Sequence, residues 1–99
     1  MSTREEILNY LTENKETFHR LFGIREIGLF GSFARGEQTD TSDIDILIDM
    51  ESETENIFEK RLLLKELLAG RFGRNVDVCH ERAIKSVFRE FVLKDVIYV

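Results

Sequence analysis

The 99-residue sequence predicts a mixed α/β fold in which helices flank a small β-sheet. Two observations support this class. Apolar residues alternate along the chain between helical spacing and short continuous runs, and the resulting order of elements is α, β, short α, β, α, β, α. The composition, 42% hydrophobic and 33% charged, is typical of a folded globular chain. We therefore expect a single domain over residues 1–99.

The first element is predicted to be a helix. Ser2 and Thr3 are candidate N-caps, and Glu5 or Glu6 would complete a capping box. Gly23 is placed where a helix commonly ends in the left-handed conformation. The apolar positions that fall near one face of this helix are Ile7, Leu8, Leu11, Phe18 and Phe22.

Two strands with a short helical turn between them are predicted next. The first strand covers Ile24–Phe30 and stops at Gly31 and Ser32. Phe33–Arg35 favours one helical turn, and a polar loop leads to the second strand, Asp43–Met50. In that strand the β-branched residues recur at every second position and share a face: Ile44, Ile46 and Ile48.

The second half begins with a leucine-rich helix, predicted over Thr54–Ala69 and ended by Gly70 or Gly73. Ser52 and Glu55 have the spacing of a capping box for it. Its apolar stripe is broader than one helix face needs, so we expect some of its leucines to be exposed.

Three shorter predictions complete the chain. Asn75–His80 is expected to be a third strand, and Ala83–Leu93 a third long helix. The apolar end, Val96–Val99, is expected to be a short strand or a docked tail.

The charge and the composition exclude several classes of protein. Fourteen Lys and Arg against 19 Asp and Glu give a net charge of −5, so nucleic acid is not expected as a direct substrate. A single cysteine, Cys79, excludes an internal disulfide framework. The sequence has no apolar run of membrane-spanning length and begins with polar residues, so we expect a cytoplasmic protein without membrane contact.

Two aspartates point to metal chemistry. Asp43 and Asp45 are two positions apart, so on a strand their side chains share a face. Neighbouring carboxylates repel each other unless a cation compensates them, and Mg²⁺ commonly binds one or two carboxylates together with substrate phosphates. The alternative is that both aspartates are solvated residues of a half-buried strand.

The segment before these aspartates is suited to phosphate. Gly31 follows an apolar strand, and Ser32 would lie at the start of a short helix, where amide groups and a hydroxyl can cradle a phosphate. Arg35 could add a charge-assisted contact, or it could be only a surface cation. Asp77, between two valines in the third strand, is the candidate third carboxylate, or simply an exposed edge residue.

The pattern Gly-Ser-x-Ala-Arg-Gly over residues 31–36, then Ser-Asp-x-Asp over residues 42–45, then Val-Asp-Val over residues 76–78, resembles the DNA polymerase beta-like nucleotidyltransferase superfamily. Within it the chain is most similar to the minimal nucleotidyltransferases, the MNT antitoxins of HEPN/MNT toxin–antitoxin systems. The resemblance covers nearly the whole chain and implies the polymerase beta-like fold. One departure is Phe33, which stands where many relatives have tyrosine.

The resemblance also implies a site and a reaction. Asp43, Asp45 and Asp77 would be the catalytic carboxylates and would bind Mg²⁺, with two ions expected. The nucleotide-binding positions would be Gly31, Ser32, Arg35 and Ser42. The implied reaction is transfer of AMP from ATP to a tyrosine hydroxyl of a partner HEPN ribonuclease toxin, with release of pyrophosphate.

The chain has no separate acceptor-binding domain, so we expect the acceptor to bring its own recognition surface. A partner protein fits that expectation. The alternative function is a non-catalytic antitoxin that neutralises the toxin by direct binding, with assembly into a homo- or hetero-oligomer. A fragment of a nucleic-acid polymerase is disfavoured by the acidic charge.

Overall fold

The computed structural model describes residues 3–99, and over that range it contains four α-helices and four strands. The helices are Arg4–Phe22 (α1), Gly31–Arg35 (α2), Ile57–Phe72 (α3) and Ser86–Asp95 (α4). The strands are Ile24–Phe30 (β1), Ile44–Met50 (β2), Val76–His80 (β3) and Ile97–Tyr98 (β4), and a 3₁₀ turn covers Glu81–Ala83. The predicted mixed α/β fold is confirmed.

The strands form one mixed sheet in the order β3-β2-β1-β4. β1 runs antiparallel to both β2 and β4, whereas β2 and β3 are parallel. A parallel pair requires a crossover, and α3 provides it between β2 and β3. β2 is therefore an interior strand, and six of its seven residues are buried.

The core lies between one face of this sheet and the helices α1 and α3. α1 packs on β1 and α3 packs on β3. The three isoleucines of β2 that were predicted to share a face all lie in this core. The residues of α1 and α3 that fill it are Ile7, Leu11, Phe18, Phe22, Leu64 and Leu68.

Both predicted ends of α1 can be compared with the structure. Thr3 is the N-cap, and its hydroxyl accepts a hydrogen bond from the amide of Glu6 at 3.1 Å. Gly23 closes the helix with a φ of 70°, as predicted. Ser2, the other candidate cap, lies outside the described residues.

The predicted start of α3 is wrong by three residues. The helix begins at Ile57, not at Thr54, because Asn56 adopts a left-handed conformation with φ 55° that interrupts the helical path. Asparagine tolerates this conformation better than most residues. The capping box predicted from Ser52 and Glu55 is absent, since Asn56 is the N-cap of α3.

The end of α3 resolves an alternative that the sequence left open. Gly70 lies inside the helix, and Gly73 closes it with a φ of 62°. The last helix was predicted over Ala83–Leu93 but covers Ser86–Asp95, so it begins and ends later than expected. Ile84 and Lys85 are extended, so the chain makes the 3₁₀ turn first and α4 starts only at Ser86.

The C-terminal residues form a strand. Ile97 and Tyr98 pair with Leu29 and Gly28 of β1, and the amide of Val99 donates to the carbonyl of Ile27 at 3.1 Å. Nowhere between residues 3 and 99 is there a helix with the length and apolar character needed to cross a membrane.

Candidate active site

Three aspartates meet at one end of the β2–β3 pair. Asp45 is the second residue of β2, and its register partner in β3 is Asp77. Asp43 comes directly before β2 and is exposed. The strand pairing thus brings together two segments that are 32 residues apart in the sequence (77 − 45). The roles assigned to the three carboxylates remain predictions.

The environment of Asp45 disfavours its charged form. Partial burial, followed in importance by the nearby charges of Asp77 and Asp43, raises the pKa of this carboxyl to about 6. Arg35 acts in the opposite direction but is the weakest of these influences. The site therefore holds excess negative charge, which a divalent cation would compensate.

Gly31 lies directly against Asp45. Its φ is +73°, and a Cβ added to it would lie 2.9 Å from the Asp45 Cγ. Any residue other than glycine would carry both a left-handed backbone and a collision with the carboxylate. The glycine therefore allows the start of α2 and the Asp45 side chain to occupy adjacent space.

The short helix α2 is anchored by its apolar residues. Phe33 and Ala34 are buried, while Ser32 at its second position is half-buried. Among residues 3–99, no side chain caps the beginning of this helix. No side chain in the described part of the chain therefore competes with a ligand for its first amides, and the phosphate cradle remains a prediction.

The structure gives Arg35 two protein partners. Its Nε donates to Glu37 at 3.0 Å, and its Nη1 donates to Asp95 at 3.3 Å. The second contact links α2 to the end of α4. The guanidinium lies near enough to Asp45 to affect the pKa of that carboxyl. Its phosphate contact remains a prediction, and the two ion pairs compete with it.

Ser42 takes part in the loop that precedes β2. Its hydroxyl accepts a hydrogen bond from the amide of Thr39 at 2.8 Å and lies 3.2 Å from the Thr39 hydroxyl. Ser42 thus closes a tight polar turn just before Asp43. A nucleotide contact from Ser42 remains a prediction.

Two features near the carboxylates were not found from the sequence. Arg74 contacts the loop of Ser42, and a cavity of about 140 Å³ borders Asp77 between α3 and β3. The residues that line this cavity are Phe58, Arg61, Leu62, Lys65, Asp77 and Val78. No motif predicts these neighbours, because both arise from packing between segments that are distant in the sequence.

The carboxylates do not form a complete metal cage by themselves. Across residues 3–99, no three His, Cys, Asp or Glu side chains are close enough together to hold one ion. The chemistry of the donor set nevertheless fits Mg²⁺, which prefers oxygen ligands and usually keeps substrate phosphates or water in its coordination shell.

Comparison with known proteins agrees with this geometry. The family model described as a nucleotidyltransferase domain matches residues 11–99. The protein adenylyltransferase MntA of Thermococcus cleftensis is 42% identical over 99 residues, which is 100% of this chain and 98% of that protein.

Solved structures give the same result. A minimal nucleotidyltransferase has a TM-score of 0.77 and 31% identity, and the match covers 97% of this chain and 95% of that protein's chain. A toxin–antitoxin crystal structure with AMP-PNP has a TM-score of 0.68 and 27% identity, covering 98% of this chain and 72% of its own. The fold and the full-length relatives agree: this chain belongs to the nucleotidyltransferase domain family, as a minimal nucleotidyltransferase similar to MntA.

Proposed function

We propose that this enzyme is an antitoxin that transfers AMP from ATP to a tyrosine hydroxyl of a partner HEPN toxin, in a Mg²⁺-dependent reaction. One structural observation carries the proposal. Gly31 lies against Asp45, and Asp45 is the register partner of Asp77. The Gly31–Ser32 turn, which is suited to binding phosphate, therefore shares one site with two carboxylates. The similarity to MntA supports a protein acceptor, and the neighbour that contains AMP-PNP supports ATP as the donor.

Asp43, Asp45 and Asp77 would hold Mg²⁺, which when bound supplies positive charge to the transferred phosphate and the leaving group. The raised pKa of Asp45 supports this assignment, because partial burial and the two neighbouring carboxylates make its charged form costly without a cation. A protein cage of three ligands is unnecessary before ATP arrives, since the triphosphate contributes oxygen ligands of its own.

The chain's own residues then have separate tasks. The amides of α2 and the Ser32 hydroxyl bind the triphosphate and orient it for in-line attack. The acceptor hydroxyl oxygen forms a bond to the α-phosphorus, while the bond from that phosphorus to the bridging oxygen breaks and pyrophosphate leaves. The exposed carboxylate of Asp77 accepts the proton of the hydroxyl. Such a reaction consumes ATP, so we also propose a cytoplasmic location.

A labelling experiment tests the proposal. The protein is incubated with its purified toxin partner, Mg²⁺ and ATP labelled at either the α- or the γ-phosphate. We expect label on the toxin only from the α-position, and a loss of at least about 100-fold in Asp43→Asn and Asp45→Asn, as removal of a charge-stabilising group commonly gives. Asp40→Asn is the matched control, because Asp40 is an exposed aspartate of the same loop.

The outcomes separate catalysis from binding. Mass spectrometry of the labelled toxin should locate AMP on tyrosine, and label on another residue type would contradict that part of the proposal. Full transfer by Asp45→Asn would contradict the catalytic role of the site.

Neutralisation by direct binding is the second candidate function, and the outer face of α3 favours it. Leu62, Leu63 and Leu67 are 45%, 54% and 38% exposed, although apolar side chains usually avoid water. A toxin that covers this face would be inhibited without any transfer. In that case Asp45→Asn should still neutralise the toxin completely.

A further inference from the structure

Arg74 occupies a junction that none of the site motifs includes. It follows Gly73, which ends α3, and precedes β3 by two positions. The residue is half-buried. Its side chain reaches the loop that leads into β2.

The contacts of Arg74 are concentrated on that loop. Its Nη1 donates to the carbonyl oxygens of Thr39, Asp40 and Ser42 at 3.2, 3.1 and 2.7 Å. These carbonyls belong to the tight turn that ends at Ser42, directly before Asp43. Hydrogen bonds from a charged donor are stronger than neutral ones, so this turn is held firmly.

The same guanidinium also contacts α2, the helix that begins with Gly31 and Ser32. Its Cζ lies 5.2 Å from the centroid of the Phe33 ring, which is a cation–π distance. Phe33 is fully buried and anchors α2. Arg74 thus touches the helix of Gly31 and Ser32 on one side and the loop of Asp43 on the other.

The residue next to Arg74 strengthens this link. The carbonyl of Asn75 accepts a hydrogen bond from the amide of Ile44 at 3.0 Å. Asp43 therefore lies between two positions, Ser42 and Ile44, that are both fixed to the segment 74–75.

We propose that Arg74 is a positioning residue that holds the Asp43 loop against α2 and thereby sets the distance between the metal-binding carboxylate and the nucleotide-binding turn. The inference rests on the proposed function for its catalytic consequence. Misplacement of a reacting group by about 1 Å can lower a rate about 100-fold. Loss of the Arg74 contacts should therefore slow AMP transfer.

The test compares Arg74→Ala and Arg74→Lys with Arg71→Ala. Arg71 is the matched control, since it stacks on Tyr10 and Phe72 at 5.1 and 5.5 Å at the same end of α3. We expect Arg74→Ala to lower kcat for AMP transfer about 10- to 100-fold while KM for ATP changes less than about 3-fold. Arg74→Lys should fall between Arg74→Ala and the wild type, and Arg71→Ala should match the wild type.

Hydrogen exchange gives a readout that does not depend on activity. In the protein without metal, Arg74→Ala should accelerate amide exchange at Thr39 and Ser42 at least about 10-fold, with α1 unchanged. Faster amide exchange throughout the sheet would show a general stabilising role and overturn the proposal. Faster exchange in the Thr39–Ser42 loop with an unchanged kcat would also overturn it. If Arg74→Ala does not fold, the same criteria apply to Arg74→Lys. A wild type that transfers no AMP contradicts the proposed function alone, and exchange still decides whether Arg74 holds the loop.

Discussion

At the scale of single residues, Asp45 combines a cost to stability with a use in chemistry. Its carboxyl is partly buried beside Asp77 and Asp43, and all three influences raise its pKa, to about 6. In an unfolded chain the same carboxyl ionises near 3.8. Between about pH 4 and pH 6 the folded protein therefore retains a proton that the unfolded chain has lost, so stability decreases as pH rises through this window.

Asp45→Asn should consequently stabilise the metal-free protein above pH 6. We expect a gain of about 1–2 kcal/mol in the free energy of unfolding at pH 7.5, after reducing the full effect of the pKa shift for partial solvent exposure. The gain should vanish at pH 4, where the carboxyl is protonated in the folded protein. Urea unfolding at both pH values measures it.

Magnesium provides the control for this prediction. Added Mg²⁺ should stabilise the wild type by relieving the repulsion, and it should stabilise Asp45→Asn much less. If Asp45→Asn were less stable than the wild type at pH 7.5 without metal, the ionised carboxylate would not be the source of the cost.

At the scale of elements, the junction of β1 and α2 depends on the space that Gly31 leaves for Asp45. We expect Gly31→Ala to lower the free energy of unfolding by about 3 kcal/mol, from a left-handed alanine and an overpacked contact together. Gly73→Ala is the control, because it has φ +62° but no atom within 4 Å of the added Cβ. It should lose only about 1 kcal/mol. Equal losses in the two variants, measured by urea unfolding, would show that the contact with Asp45 costs nothing.

The elements also show how far sequence patterns reach. β1 was predicted with its observed ends, because Gly23 after α1 and Gly31 at the start of α2 bound a short apolar run. The start of α3 was predicted wrongly, because the capping-box spacing of Ser52 and Glu55 is a local pattern, whereas the left-handed Asn56 decides where the helix begins. The start of the last helix was predicted three residues too early, because Ile84 continues the helical spacing of apolar residues although its backbone is extended.

The candidate site likewise contains some residues that local sequence patterns predict and others that only the fold brings together. Gly31, Ser32, Asp43 and Asp45 are close in sequence, so their spacing was enough to predict a shared site. Asp77 belongs to the site only because β3 pairs with β2, and the sequence alone could not establish that pairing. Arg74 and the cavity beside Asp77 carry no motif, since both arise from packing between distant segments.

At the scale of the whole molecule, most of the exposed leucine face of α3 is separate from the site, although Leu62 lines the cavity beside Asp77. The carboxylates belong to β2, β3 and the loop before β2, whereas Leu63 and Leu67 lie on the outer side of α3 and do not border the cavity beside Asp77. A catalytic function and a binding function are therefore separable by substitution.

We expect Leu63→Glu to weaken toxin binding at least about 10-fold, because it places a charge in an apolar contact, while ATP binding stays within about 2-fold of the wild type. Leu21→Glu is the matched control, since Leu21 on α1 is as exposed as Leu63, at 54%. Calorimetry with purified toxin and with ATP measures both affinities. If Leu63→Glu binds toxin like the wild type, the outer face of α3 is not the contact surface. If it loses toxin binding and AMP transfer together, while Asp45→Asn loses only transfer, the enzyme must dock its acceptor through α3 before the carboxylates can act.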